Sequence, residues 1–124
     1  MERPPTVLVI DDDPAVLGVI RLALEDEGYR VVYATGAAGL DVARKHQPDL
    51  ILLDILMPGT MNGVEISQRL RSGPATRHIP IISMSGHMPS ATPFAMQADE
   101  HLPKPLDLVN LCVTIERWIG RPRP

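Results

Sequence analysis

The chain has a single cysteine, Cys112, and only four aromatic residues, Tyr29, Tyr33, Phe94 and Trp118, in 124 residues. One thiol excludes a disulfide framework and fits a reducing compartment. Long apolar runs are also missing. The longest, such as Leu50 to Leu53, are strand-sized and fall far short of the roughly 20 residues that a membrane-spanning helix needs. The opening Met-Glu-Arg-Pro-Pro has no apolar signal segment, so a soluble cytoplasmic protein with no membrane partner is expected. Positive charge is in deficit: 12 Lys and Arg face 15 Asp and Glu, for a net charge of -3. A chain that is slightly acidic and poor in stacking rings lacks the basic face and aromatic platforms that nucleic-acid binding uses. The length leaves room for one domain and no second, and a domain of this size buries roughly two-thirds of its unfolded surface without metal or disulfide staples. The one excess is proline, at 13 residues.

The apolar pattern predicts alternating strands and helices. Thr6 to Ile10 is a continuous β-branched and aliphatic run, the signature of a strand buried on both faces. Asp13-Pro14 opens a helix with Val16, Leu17, Ile20 and Leu24 inward and Gly28 as its stop. Tyr29 to Ala34 reads as a second strand, Gly36 to Gln47 as a second helix, and Leu50 to Leu53 as the strongest strand. A turn-forming loop over 57–63 leads into a helix over Val64 to Arg71. Ile79 to Ser85 is a strand carrying Pro80 near its start. Pro89 and Pro93 shorten or distort any helix between Gly86 and Gln97. A brief strand at His101-Leu102 precedes a last helix capped by Asp107, with Leu108, Leu111, Ile115 and Ile119 on one face. The alternation implies an α/β doubly wound fold around a five-stranded parallel sheet, with a lead-in over 1–5, one domain over 6–120 and a disordered tail over 121–124.

In such sheets the ligand crevice lies beyond the carboxyl ends of the strands. Four polar features end strands here: Asp11-Asp12-Asp13, Asp54, Ser85 and, just past the fifth strand, Lys104. Each alone has an ordinary explanation: an aspartate run is a helix cap, Asp54 a loop residue, Ser85 structural, Lys104 a surface lysine. Their joint position at successive strand ends favours chemistry. Three carboxylates within about 5 Å repel by roughly 3 kcal/mol per pair at an effective dielectric of ~20. Such a cluster needs a cation, and an all-oxygen donor set selects a hard divalent ion such as Mg²⁺ beside a phosphate. A lysine ammonium and a serine hydroxyl are groups that stabilise the oxygens of a transferring phosphoryl group, with Asp54 as the carboxylate nucleophile.

At these residues the chain resembles the receiver domain of two-component response regulators, over nearly all of Val7 to Ile119. Val-Leu-Val-Ile-Asp11-Asp12-Asp13-Pro is similar to the family's acidic pair after the first strand, and Leu-Leu-Asp54-Ile-Leu-Met57-Pro58-Gly59 to its phosphoacceptor segment. Ile-Ile-Ser-Met-Ser85-Gly86 matches the fourth-strand hydroxyl, and Leu-Pro-Lys104-Pro105 the lysine before a usually cis proline. The resemblance implies a flavodoxin-like sheet in the order 2-1-3-4-5 with helices on both faces. It implies that Asp54 takes a phosphoryl group from a histidine kinase or phosphotransfer protein. Asp11, Asp12, Asp54 and the Leu56 carbonyl would hold Mg²⁺, with Asp11 acting mainly through water. Ser85 and Lys104 would contact phosphoryl oxygens, and the Lys104-Pro105 bond would be cis.

The chain also departs from the family pattern. The loop after Asp54 has one extra residue and places Asn62 where an aspartate is usual, although Asn62 can still cap the next helix. His101 stands where the family has a switch aromatic, three residues before the lysine, so by the resemblance the switch pair would be Ser85 and His101. Met88, Phe94, Met96 and Leu106 are candidates for a partner patch. The expectation is a free-standing, single-domain receiver, a monomer or weak dimer. It would phosphorylate and dephosphorylate itself and pass its signal to a downstream protein by contact. The alternative is a pseudo-receiver that binds partners whatever its phosphorylation. A phosphatase for small substrates fits less well, because Leu56 stands where a second acid would be needed.

Overall fold

Three fully buried, mostly apolar strands build the centre of the fold. Thr6–Ile10 (β1), Leu50–Asp54 (β3) and Ile81–Ser85 (β4) are buried along their whole length. Arg30–Ala34 (β2) and Glu100–Pro103 (β5) are partly exposed, as edge strands are. The five strands pair in parallel in the order β2-β1-β3-β4-β5, as the resemblance implies. Four helices accompany them among the described residues: Pro14–Asp26 (α1), Ala38–His46 (α2), Gly63–Ser72 (α3) and Leu108–Ile119 (α4). The structure is a computed structural model and describes residues 3–55, 62–86 and 97–122. The expected short helix between β4 and β5, and the candidate patch residues Met88, Phe94 and Met96, lie outside the described residues.

Alternation along each strand divides the core in two. Val7, Val9, Leu50, Leu52, Ile82 and Met84 meet Ile20 and Leu24 of α1 and Leu111 and Ile115 of α4. Leu8, Ile10, Ile51, Leu53 and Ile81 meet Leu40 and Ala43 of α2 and Ile66 and Leu70 of α3. Leu106 is partly buried against the first of these cores. Side-chain caps set three helix starts. Asp13 accepts from Ala15 N at 2.9 Å, Asn62 from Glu65 N at 3.0 Å and Asp107 from Asn110 N at 3.1 Å. None of the described helices is long and apolar enough to cross a membrane.

Several boundaries differ from the sequence reading by a residue or two, among them the second helix, which is Ala38–His46, the third, which is Gly63–Ser72, and the last strand, which is Glu100–Pro103. Three differences have a visible cause. The second strand starts at Arg30, not Tyr29, because Tyr29 N still donates to Leu24 O, closing the turn after α1. The fourth starts at Ile81: Ile79 and Pro80 precede it, and the Pro80 carbonyl accepts from Ile51 N at 2.9 Å. The tail is not free at Arg121. Pro122 is buried, and its ring lies against Gly28, which has φ +98. Tyr29 reinforces this closure by donating its hydroxyl to Gly120 O at 2.7 Å. Arg71 ties the opposite end of the sheet together. It donates to the carbonyls of Arg77 and Gln97 and to Asp99 Oδ2, which also accepts from Ile81 N at the start of β4.

One helix start sits directly on the sheet. A Cβ at Gly63 would lie 2.3 Å from Asp54 O and 2.5 Å from Ile55 Cα, and backbone atoms there have nowhere to go. Gly63→Ala should therefore lower stability by about 2–3 kcal/mol in urea unfolding. Gly18→Ala, with nothing within 4 Å of the added Cβ, should gain up to about 1 kcal/mol. Burial, with help from Glu116, pushes the Tyr29 phenol up to about 12. The unfolded phenol ionises near pH ~10, so this contribution is complete below that pH and is lost as pH rises through about 12. The decline in unfolding midpoint over this window should be shallower in Tyr29→Phe.

Candidate phosphoacceptor site

The carboxyl ends of β1, β3 and β4 bring the candidate residues to one edge of the sheet. Ile10 pairs with Leu53 and Asp54 with Met84, so Asp11 and Asp54 leave adjacent strands at neighbouring levels. Both are buried, at 1% and 6% exposure, and so is Ser85 at 3%. Carboxylates so deep are normally paired, because desolvating an unpaired one costs several kcal/mol.

Lys104 supplies the pairing. Its Nζ lies 3.0 Å from Asp11 Oδ2 and 3.5 Å from Asp54 Oδ1, a cation between two carboxylates. The backbone aims it there. Lys104 N donates to Ser85 O at 2.9 Å, extending the β4 to β5 ladder past Pro103, and the Lys104-Pro105 bond is cis, as expected. Gly86 packs beside this crossing without crowding it, since even a Cβ there would meet Lys104 only at an ordinary contact distance of 3.9 Å. Burial pulls the lysine's pKa down, but the hydrogen bond to Asp11 and the charge of Asp54 outweigh it and leave the pKa raised. The ammonium stays charged at neutral pH.

The aspartate run divides its labour. Asp11 Oδ1 accepts from Asp13 N at 2.9 Å, which holds the chain as it turns from β1 into α1. Asp13 is the helix cap. Asp12 Oδ1 is buried with no hydrogen-bond partner among the described residues. A buried, unpartnered carboxylate oxygen next to Asp11 is a group that a hard cation would satisfy. No three Asp, Glu, His or Cys side chains already form a closed metal cage among the described residues. An open set of few protein oxygens suits Mg²⁺, which keeps several of its waters. The Leu56 carbonyl, expected as a further donor, lies outside the described residues, as does the Met57-Pro58-Gly59 turn.

His101 sits on β5 in register with Ser83 of β4 and is half-buried. Its Nδ1 lies 2.8 Å from Ser83 Oγ. Burial lowers the imidazole's pKa from its usual value. The sequence reading did not single out Ser83. Its signal was a second serine two residues before Ser85 in an otherwise apolar strand, which alternation puts on the same face. Trp118, on the last helix, donates Nε1 to Glu100 Oε1 at 2.9 Å.

Known proteins share this sequence pattern and fold. A family model described as the response regulator receiver domain matches residues 7–116. The polar-differentiation response regulator DivK of Brucella anthropi is 31% identical over 128 residues, covering 94% of this chain and 98% of that protein. The crystal structure of a response regulator from Chloroflexus aurantiacus superposes with a TM-score of 0.85 at 29% identity, covering 96% of this chain and all of that one. The receiver domain of the Pseudomonas aeruginosa sensor histidine kinase PA1611, with magnesium in its active-site cleft, shares the fold at a TM-score of 0.86 and 24% identity, covering 95% of this chain and 99% of that one.

Removing the lysine charge should expose the cost of the buried pair. Lys104→Met should lower stability by about 1–3 kcal/mol in urea unfolding at neutral pH. Adding Asp11→Asn to that variant should restore part of the loss, whereas two independent contributions would add.

Proposed function

Because the chain belongs to the response regulator receiver domains of two-component signalling, we propose that Asp54 is its phosphoacceptor, charged from the phosphohistidine of a histidine kinase or phosphotransfer protein in a Mg²⁺-dependent reaction. The observation that carries this reading is the Lys104 ammonium held between Asp11 and Asp54. A fixed positive charge beside a buried carboxylate stands ready for the charge of an incoming phosphoryl group.

In the transfer, an Asp54 carboxylate oxygen attacks phosphorus. The new O–P bond forms as the N–P bond of the donor imidazole breaks, and the imidazole keeps the electron pair. Lys104 moves its hydrogen bonds from carboxylate to a phosphoryl oxygen, and the Ser85 hydroxyl donates to another. Asp11 and Asp12, with Asp54 and the Leu56 carbonyl, would hold Mg²⁺, which when bound supplies positive charge to offset that of the phosphoryl oxygens. The orphaned Asp12 oxygen supports that assignment. Return to the resting state is hydrolysis: water attacks phosphorus, the acyl phosphate opens, and orthophosphate and the free carboxylate result.

Ser85 and His101 form the switch in this reading. Ser85 is drawn to the phosphoryl group, and β5 feels the change through its ladder with β4. A protein donor has a surface to rest on beside the site, an apolar groove of about 270 Å³ lined by Val16, Val19, Lys104, Pro105, Leu106 and Leu108. The output is contact with a downstream protein in the cytoplasm.

Incubation with Mg²⁺ and acetyl phosphate should add one phosphoryl mass, and mass spectrometry should place it on Asp54. Asp54→Asn should abolish the adduct. Asp12→Ala should weaken Mg²⁺ binding at least tenfold in isothermal titration, in line with loss of a metal ligand. An adduct surviving in Asp54→Asn would overturn the assignment, and no adduct at all would leave the interaction module as the better description.

A further inference from the structure

We infer that Ser83 is a positioning residue that latches His101 in its Nδ1–H tautomer and in one ring orientation. A hydroxyl has one proton to donate. Ser83 Oγ lies 3.3 Å from Glu100 O and 2.8 Å from His101 Nδ1. A carbonyl oxygen can only accept, so the Ser83 proton goes to Glu100 O. The hydroxyl then meets Nδ1 with a lone pair, and the imidazole must be the donor. The opposite assignment, with Ser83 donating to Nδ1, forfeits the contact to Glu100 O. Only the Nδ1–H form satisfies both, and it leaves Nε2 as the accepting nitrogen.

The surroundings make the arrangement rigid. Ser83 is 1% exposed and sits mid-strand in β4, so its Oγ has little freedom to seek another partner. Ser83 and His101 are register neighbours on paired parallel strands, which points both side chains to the same face. Ser85, two residues along β4, shares that face. One strand therefore presents a hydroxyl at the acceptor site and a second hydroxyl that grips His101. Burial lowers the imidazole's pKa from its usual value and so favours the neutral ring.

The latch rests on the Ser83 contacts to Glu100 O and His101 Nδ1 and stands whether or not Asp54 is the phosphoacceptor. Its consequence rests on the proposed phosphoacceptor reading: when Ser85 is drawn toward a phosphoryl group, Ser83 moves with the same strand, and the tautomer and position of His101 report that movement. His101 would signal through a hydrogen bond carried by β4 and not through a free swing of its ring.

Long-range ¹⁵N–¹H correlation spectra of the imidazoles, recorded near pH 8 on the full chain, test the latch directly. His101→Gln assigns the signal among the four histidines. The wild-type protein should show His101 protonated at Nδ1. Ser83→Ala should shift it to the Nε2–H form or to a mixture, and Ser83→Thr, which keeps the hydroxyl, should restore Nδ1–H. A wild-type His101 protonated at Nε2 would overturn the latch even if Ser83→Ala does not fold. So would a folded Ser83→Ala whose tautomer is unchanged. Repeating the spectra with beryllofluoride and Mg²⁺ separates the two readings. A shifted His101 signal supports the coupling. An unshifted one in a protein that forms the acyl phosphate overturns the coupling and leaves the acceptor assignment intact.

Discussion

Two carboxylates buried at the carboxyl edge of a parallel sheet set the terms for everything around them. Asp11 and Asp54 are held there because β1 and β3 are neighbours and each ends on an aspartate. Neither can be sunk so deep without positive charge, and the fold delivers Lys104 from the end of β5 to meet both. The arrangement is balanced only in part, with an additional carboxylate oxygen of Asp12 buried and unpartnered among the described residues. A site with excess negative charge and one fixed ammonium is suited to a divalent cation and a transferable phosphoryl group. That is the chemistry proposed for Asp54.

The scaffold keeps this edge in place by close approach. α3 can start where it does only because Gly63 has no side chain to strike the Asp54 and Ile55 backbone. Asn62 caps that helix, and Asp13, capping α1, donates its own amide to Asp11. The start of α1 is thus joined to a buried carboxylate by one hydrogen bond, from Asp13 N to Asp11 Oδ1. At the far end, Arg71 and Asp99 pin the starts of β4 and β5, so that Ser85 and Lys104 arrive together at the site end.

Most of the fold was legible because β1 and β3 are nearly unbroken aliphatic runs and three of the described helices carry plain caps. Asp13-Pro14, Asn62 and Asp107 act as local chemistry suggests. Boundaries were less legible where a tertiary contact competes with local pattern. Tyr29 looks like strand by composition, yet its amide completes the turn after α1 and its hydroxyl reaches Gly120. Arg121-Pro-Arg-Pro looks like a loose tail, yet Pro122 finds Gly28 across the domain. Ser83 passed as a strand residue because a serine's worth depends on which neighbour strand lies beside it.

By itself the order of residues determined the alternation of strands and helices, the strand ends at which chemistry could gather, and the identity of Asp11, Asp12, Asp54, Ser85 and Lys104 as candidates. These follow from short-range periodicity and from the rule that parallel sheets open their crevice at the carboxyl edge. Tertiary structure alone decided that the lysine bridges Asp11 and Asp54, that one oxygen of Asp12 is stranded, and that His101 is gripped by Ser83. The first and last of these join residues from different strand ends or different strands, and the second depends on which groups fail to reach Asp12; distances across such gaps are set by register and packing, which no local pattern encodes.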